Sequence, residues 1–228
     1  MSPIIDDPVA TRPDGKMTPA ERLEVEVKFL VADLPAVRAR LAAVGAGMSA
    51  ARVYERNVRY DTADEALLGR QALLRLRQDT RVRLTFKGLA AQDAASEAKV
   101  REELEVSVSD FDTLALILTR LGFAAVQTYE KYRETWHLGD VEVVLDELPF
   151  GNFVELEGPS DESLKAVAVA LGFEWSQRVL ANYLALMELA RRTFDLPFRD
   201  LTFANFAVRP VDMSELLPVC ILRDVEGA

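Results

Sequence analysis

The stretch that decides the fold is Leu23-Glu24-Val25-Glu26-Val27-Lys28-Phe29. In an extended strand successive side chains point to opposite faces, so Glu24, Glu26 and Lys28 share one face and Leu23, Val25, Val27 and Phe29 the other. The apolar face can be buried against helices. The acid, acid, base face looks either at water or at an enclosed polar space. Such alternation is what any half-solvated antiparallel strand shows, and on its own it does not choose between the two.

The neighbouring segments repeat the pattern. Asp33 caps a helix from Leu34 to about Val44, with Leu34, Val37, Leu41 and Val44 on one side and Gly45 closing it. Arg52 to Tyr60 reads as a strand. Leu73–Arg77 and Val82–Lys87 form a hairpin that places Leu74, Leu76, Val82, Leu84 and Phe86 on one face and Arg75, Arg77, Thr85 and Lys87 on the other. Arg83 faces either the inside or solvent. After a loop from Gly88 to about Lys99, Arg101, Glu103, Glu105 and Ser107 alternate with Glu102, Leu104, Val106 and Val108. A second helix spans Asp110 to Leu121, stopped by Gly122.

Tyr129–Trp136, Val141–Leu145 and Phe153–Glu157 complete the strands, and Glu155 and Glu157 share a face as Glu24 and Glu26 do. Ser160 starts a third helix that ends at Leu171-Gly172, and a fourth is expected from Arg178 to about Thr193. Residues 1 to 20, with four prolines, read as a mobile leader. Residues 21–194 read as one domain. The tail from Asp195 reads as a mostly irregular extension packed on it, with Leu201-Thr202-Phe203 as a possible short strand.

About eight mostly antiparallel strands with amphipathic helices outside predict an α+β fold built on a tunnel-like eight-stranded barrel. The helices need an apolar outer face, which turns the charged faces inward. Dry burial of those charges costs several kcal/mol each, so the lumen must hold water, ions or ligand. Glu24, Glu26, Glu103, Glu105, Asp146, Glu155 and Glu157 would meet Lys28, Arg75, Arg77, Lys87, Arg101, Lys131 and Arg133 there. Crowded carboxylates call for a divalent cation and crowded bases for a multiply charged anion. A metal-bound polyphosphate satisfies both.

The totals of the 228-residue chain narrow the alternatives. One cysteine and one histidine exclude a cysteine-cluster or multi-histidine metal site, which leaves carboxylates as ligands and Mg²⁺, Mn²⁺ or Ca²⁺ as the matching ions. A net charge of −10 argues against a general nucleic-acid-binding surface. No apolar run reaches the length of a membrane span and no signal-like segment opens the chain. The expectation is a soluble cytoplasmic protein, possibly a homodimer.

The residues also resemble a known family, the CYTH domains or triphosphate tunnel metalloenzymes, over about residues 21 to 190. The resemblance rests on Glu24-Val-Glu26-Val-Lys28, Arg75-Leu-Arg77, Lys87-Gly88, Arg101-Glu-Glu103-Leu-Glu105, Lys131-Tyr-Arg133, Val144-Leu-Asp146 and Glu155-Leu-Glu157-Gly158, all in order. It implies that Lys28, Arg75, Arg77, Lys87, Arg101, Lys131 and Arg133 bind the triphosphate. It further implies that Glu24, Glu26, Glu103, Glu105, Asp146, Glu155 and Glu157 hold Mg²⁺ or Mn²⁺. Glu24, Glu26, Lys28, Arg75 and Arg77 form the expected catalytic set. The family often carries Ser-Tyr near the end, where this chain has Asn182-Tyr183.

Three functions fit: a metal-dependent triphosphatase, a class IV adenylyl cyclase, and a non-catalytic polyphosphate or nucleotide binder. Bacterial cyclases of the family tend to have His-Phe-x-Gly before the first strand, whereas Ala20-Glu21-Arg22-Leu23 stands here. Both paired arginines and both late glutamates are present, which favours hydrolysis. Tyr129, Tyr132, Trp136 and Tyr183 are expected to pack helices onto the barrel, and Glu130, Glu134 and Glu147 to be solvated.

Overall fold

β1 (Leu23–Val31) carries Glu26 and Lys28 on one face and Val27, Phe29 and Val31 on the other, and the rest of the chain is laid around it. The computed structural model describes residues 23–89 and 99–222; the expected leader at residues 1–20 and most of the 88–99 loop lie outside the described residues, as do the side chains of Glu24 and Arg101. In chain order the elements after β1 are α1 (Leu34–Ala43), β2 (Gly47–Asp61), α2 (Ala66–Gly69), β3 (Leu73–Gln78), β4 (Val82–Leu89) and β5 (Lys99–Val108). They continue with α3 (Phe111–Arg120), β6 (Ala124–Leu138), β7 (Val141–Leu148), β8 (Gly151–Gly158), α4 (Asp161–Ala170), α5 (Tyr183–Thr193), α6 (Phe203–Val208) and β9 (Val219–Cys220).

The strands run β5-β4-β3-β2-β6-β7-β8-β1-β9, and all pairings among the first eight are antiparallel. β1 also pairs β5 over Leu23–Glu26, which joins the ends of the series into an eight-stranded ring along part of its length. The α+β tunnel fold expected from the alternation is therefore present. β9 lies parallel to β1 beyond that joint, with Leu30 opposite Val219.

The barrel is apolar outside. Val27, Phe29 and Val31 of β1 pack with Val143 and Leu145 of β7 beneath Val37 and Leu41 of α1 and Leu164 and Ala168 of α4. Val58, Tyr60 and Leu76 lie under Phe111 and Leu118 of α3. The helices begin where the sequence signals them: Asp33, Asp110 and Asn182 each accept the amide three residues on, and Ser160 forms a reciprocal capping box with Ser163.

A third apolar cluster closes one end of the lumen. Leu30, Leu148 and Phe153 on the inner strand faces meet Tyr183, Leu186 and Met187 of α5 and Leu196, Leu201, Phe206 and Met213 of the tail. Two expectations change here, and one holds. The fourth helix starts at Tyr183, not Arg178, because Asn182 is its cap and Val179 exchanges backbone hydrogen bonds with Lys28, 2.7 and 3.1 Å. The tail is mostly irregular, as expected, with only the short α6 and β9 in it, and its apolar residues pack against the barrel end. Leu201 does pair with Tyr129, but as one isolated parallel bridge, and Phe203 begins a helix capped by Thr202. Among the described residues, no helix is long and apolar enough to cross a membrane.

Candidate active site

The strand register sets acids opposite bases around the ring. Lys28 stands opposite Glu155, Arg133 opposite Asp146, Lys131 opposite Glu55 and Lys87 opposite Glu103. Of these, Lys28, Glu155, Arg133, Lys131 and Lys87 converge on one cavity of about 80 Å³. It is lined by Lys28, Arg75, Arg77, Lys87, Lys131 and Arg133 with Glu26, Glu155 and Glu157, and by Leu73, Tyr129, Asn182, Tyr183 and Leu184. Six bases and three carboxylates line the wall directly, and converging bases suit a multiply charged anion.

The ion pairs are short and mostly shielded from solvent. Lys28 Nζ lies 2.7 Å from Glu155 Oε1 and 3.2 Å from Glu26 Oε1. Arg133 donates to both oxygens of Asp146, at 2.8 and 2.7 Å, and to Glu155 at 2.7 Å. Asp146 is fully buried and also accepts from Lys131 Nζ at 2.9 Å and the Tyr183 hydroxyl at 2.8 Å. Arg77 reaches Asn57 at 3.0 Å and Glu55 at 3.2 Å; Arg75 reaches Tyr129 at 3.2 Å and Thr85 at 3.3 Å. Lys87 sits 2.9 Å from Glu103, and Glu105 accepts from Thr85 at 2.8 Å.

These environments tune the groups in opposite directions. Burial disfavours the charge on Lys28, but Glu155 and Glu26 outweigh it and raise the pKa above the ordinary value. Burial and then Arg133 lower that of Lys131, against the partial support of Asp146 and Glu55. Burial opposes ionisation of Glu155, yet Lys28, Arg133 and Lys131 hold its carboxyl well below the usual range. Burial and the neighbouring Asp146 push the Tyr183 hydroxyl well up, so it stays a donor.

Of the residues expected in the site, Glu26, Lys28, Arg75, Arg77, Lys87, Lys131, Arg133, Glu155 and Glu157 line the cavity. Asp146 lies behind it, and Glu103 and Glu105 stand at the β4–β5 side as partners of Lys87, Arg75, Arg83 and Thr85. Glu24 and Arg101 are cross-strand neighbours in the β1–β5 joint. Arg83, left open between lumen and solvent, pairs with Asp79 and lines a second cavity of about 260 Å³ that shares Arg77 and Arg133 with the first.

Sequence reasoning missed Glu55, Asn57, Tyr129 and Tyr183. Tyr129 and Tyr183 were expected to pack outside helices. Tyr129 instead faces inward, as its even spacing from Lys131 and Arg133 on β6 signals, and Tyr183 lays its ring 5.4 Å from Lys28 Nζ and 5.3 Å from Lys131 Nζ. Glu55 and Asn57 could have been found from the same alternation along β2. Glu134 is not solvated: it is buried and accepts from Arg38 of α1 and from the Trp136 indole, tying helix to barrel. Glu147 pairs with Arg52 and Arg38, and Glu130 accepts the Phe203 amide.

Among the described residues no group of three acidic, histidine or cysteine side chains is already gathered as a metal site. Glu26, Glu155 and Glu157 nonetheless line one cavity and supply the hard oxygen donors that Mg²⁺ or Mn²⁺ prefers. The buried donor Arg75 Nε in the same wall has no hydrogen-bond partner within the protein, as expected of a group reserved for an acceptor from outside. These residues fit a metal-bound anion.

Residues 22–171 match the family model described as the CYTH domain. The chain belongs to the CYTH domain family. It is similar to adenylate cyclase CyaB of Aeromonas hydrophila, 27% identical over 180 residues that make up 73% of this chain and 90% of the relative. Among solved structures it is similar to the PH1819 protein of Pyrococcus horikoshii OT3, with 25% identity, TM-score 0.62 and coverage of 74% of this chain and 99% of that one. It shares its fold with HpAC1 from Hippeastrum, described as revealing a dominant triphosphatase activity, at 16% identity, TM-score 0.52 and coverage of 73% and 96%.

Proposed function

We propose that the chain is a divalent-metal-dependent hydrolase of triphosphate compounds acting inside the barrel. The observation that carries this reading is the single cavity walled by six bases and three carboxylates. Lys28, Arg75, Arg77, Lys87, Lys131 and Arg133 hold the phosphate oxygens, and the family resemblance adds Arg101 to them. Glu24, Glu26, Glu155 and Glu157 would hold Mg²⁺ or Mn²⁺, which supplies charge neutralisation and an oriented water. Asp146 keeps Lys131 and Arg133 extended towards the lumen, and a metal there would compete with its four donors. Glu103 and Glu105 do the same for Lys87, Arg75 and Arg83 from the other side, or lend oxygens to the metal.

Water attacks the terminal phosphorus in line, its P–O bond to the β-phosphate breaks, and orthophosphate and a diphosphate leave. Positioning and charge stabilisation carry most of the rate, so no side-chain nucleophile is required. The triphosphatase activity described for HpAC1 supports this assignment.

Adenylyl cyclisation of ATP is the second reading, favoured by the name of the Aeromonas relative. The products separate the two: orthophosphate from hydrolysis, cyclic AMP and pyrophosphate from cyclisation. The decisive variant is the double substitution Glu24→Gln, Glu26→Gln. It should abolish metal-dependent turnover of tripolyphosphate, ATP and thiamine triphosphate; retained turnover would sink the assignment.

A further inference from the structure

Tyr129 stands in the wall of the lumen and is almost wholly buried. Its hydroxyl oxygen accepts from Arg75 Nη1 at 3.2 Å, so the hydroxyl hydrogen has to find its acceptor elsewhere. Among the described residues the hydroxyl makes no second hydrogen bond. Burial opposes ionisation of the phenol, but Arg75, Arg77 and Lys131 outweigh it and lower its pKa below the ordinary value, which makes it a stronger donor. Arg75 is held from its other nitrogen by Thr85 at 3.3 Å, and its Nε has no partner within the protein. Two buried donors, the phenol O–H and Arg75 Nε, are thus left for an acceptor that the protein does not supply.

The strand that carries Tyr129 is held in place by the tail. β7 pairs with β6 only from Tyr132 onward, so the stretch of β6 before Tyr132 has β2 on one edge and no β7 on the other. Residues 199–203 take that edge. Leu201 donates to the Thr128 carbonyl at 3.0 Å and accepts from the Glu130 amide at 2.9 Å, a parallel bridge centred on Tyr129. Asp200 accepts the Thr128 amide at 2.8 Å, Gln127 donates to the Arg199 carbonyl at 2.7 Å, and Glu130 accepts the Phe203 amide at 3.0 Å. Gln127, Thr128 and Glu130 are each tied to the tail, and Tyr129 between them points inward by the alternation of the strand.

We propose that Tyr129 donates its hydroxyl hydrogen to a phosphate oxygen of the bound substrate, and that residues 199–203 of the tail are the splint that holds it there. The proposal rests on the triphosphate reading of the lumen. A phenol supplies what the six bases cannot, a donor that adds no charge to a wall where Arg75, Arg77 and Lys131 already repel one another. Donation to an anionic oxygen is a charge-assisted bond, stronger than one between neutral groups. Because the acceptor belongs to the phosphate chain, Tyr129 should serve inorganic tripolyphosphate and triphosphate esters alike. The tail, which lies outside the lumen, then acts on substrate binding through the position of one side chain.

The test measures kcat and KM with Mg²⁺ for whichever of tripolyphosphate, ATP and thiamine triphosphate the wild type turns over, in Tyr129→Phe, Asp200→Ala and the double variant. Tyr129→Phe should raise KM about tenfold with kcat changed less than about twofold, the scale of one hydrogen bond to a charged acceptor lost from binding. Asp200→Ala should raise KM about threefold in the wild type and leave that of Tyr129→Phe unchanged, since the splint acts only through Tyr129. Calorimetric affinity for tripolyphosphate should fall with Tyr129→Phe in the Arg75→Lys background too. An unchanged KM in Tyr129→Phe, or an affinity loss that vanishes in the Arg75→Lys background, overturns the donation and leaves the lumen reading standing. An Asp200→Ala effect that is absent in the wild type or equal in both backgrounds overturns the splint. If the wild type turns over none of the three, the lumen reading fails and takes Tyr129 with it.

Discussion

The lumen and the chamber beside it are neighbours of contrary design. The lumen is narrow, about 80 Å³, because its charged side chains reach across and pair with one another. The chamber, which shares Leu73, Asn182 and Leu184 with the lumen, holds about 470 Å³, has both apolar and charged surface, and its arginines have partners of their own. Buried charge is costly unless every member is matched, so the lumen behaves as one network in which removing any member strands the rest.

The sharpest way to break this contrast is Asp146→Ala. Four donors converge on that carboxylate, and its removal leaves buried Lys131 with only Glu55, at 3.7 Å, and Arg133 with only Glu155, at 2.7 Å, as counter-charges. The expected cost is about 3–5 kcal/mol in equilibrium denaturation. A midpoint close to the wild type would refute the network.

Tyr183→Phe is milder. It removes one hydrogen bond to a charged acceptor but keeps the ring over Lys28 and Lys131, so about 1.5 kcal/mol is expected. A higher KM for triphosphate should accompany it.

pH sharpens the difference within the lumen itself. Lys28 has a raised pKa in the folded chain, so its pairing stabilises fully below pH 10.5 and is lost as pH climbs through the raised value. Lys131 is lowered, so its charge is a burden at neutral pH, and stability rises with pH between the lowered value and 10.5. Lys28→Met should remove a fall in stability that begins above pH 10.5, and Lys131→Met a rise that lies below it, both read from denaturation midpoints as pH is raised through 10.5. Slopes of the same sign would contradict the assignment. At the exposed rim, Arg192→Ala breaks only a solvated pair with Glu188 and should leave the midpoint unchanged.

Much of this was legible from alternation. On β1, β3, β6 and β8, a period of two fixes which side chains share a face, and the apolar remainder must lie under helices. The same parity holds Tyr129 with Lys131, but aromatic character pointed to packing and outweighed it. Glu134 shows the converse limit. Its face was assigned, but not the Arg38 guanidinium that α1 brings down onto it, because helix placement depends on contacts nearly a hundred residues apart in the chain. α2 left almost no signal, being one strained turn held by a carboxylate, Asp61, that precedes it.

By itself the sequence determined that the charged faces turn inward, since helices and charges cannot share one side of a sheet. It also determined which acids and bases share a face on each strand it read, since side-chain direction is a local property of an extended backbone. Only the tertiary structure decided how far along the barrel each one sits. Interstrand register then made Asp146 a hub of four donors and placed Glu26, Glu155 and Glu157 on the cavity wall. The crossing of residues 178–182 over the lumen end dropped Tyr183 between two lysines and opened the chamber beside it. Those placements come from long-range packing, for which no local pattern of residues carries the coordinates.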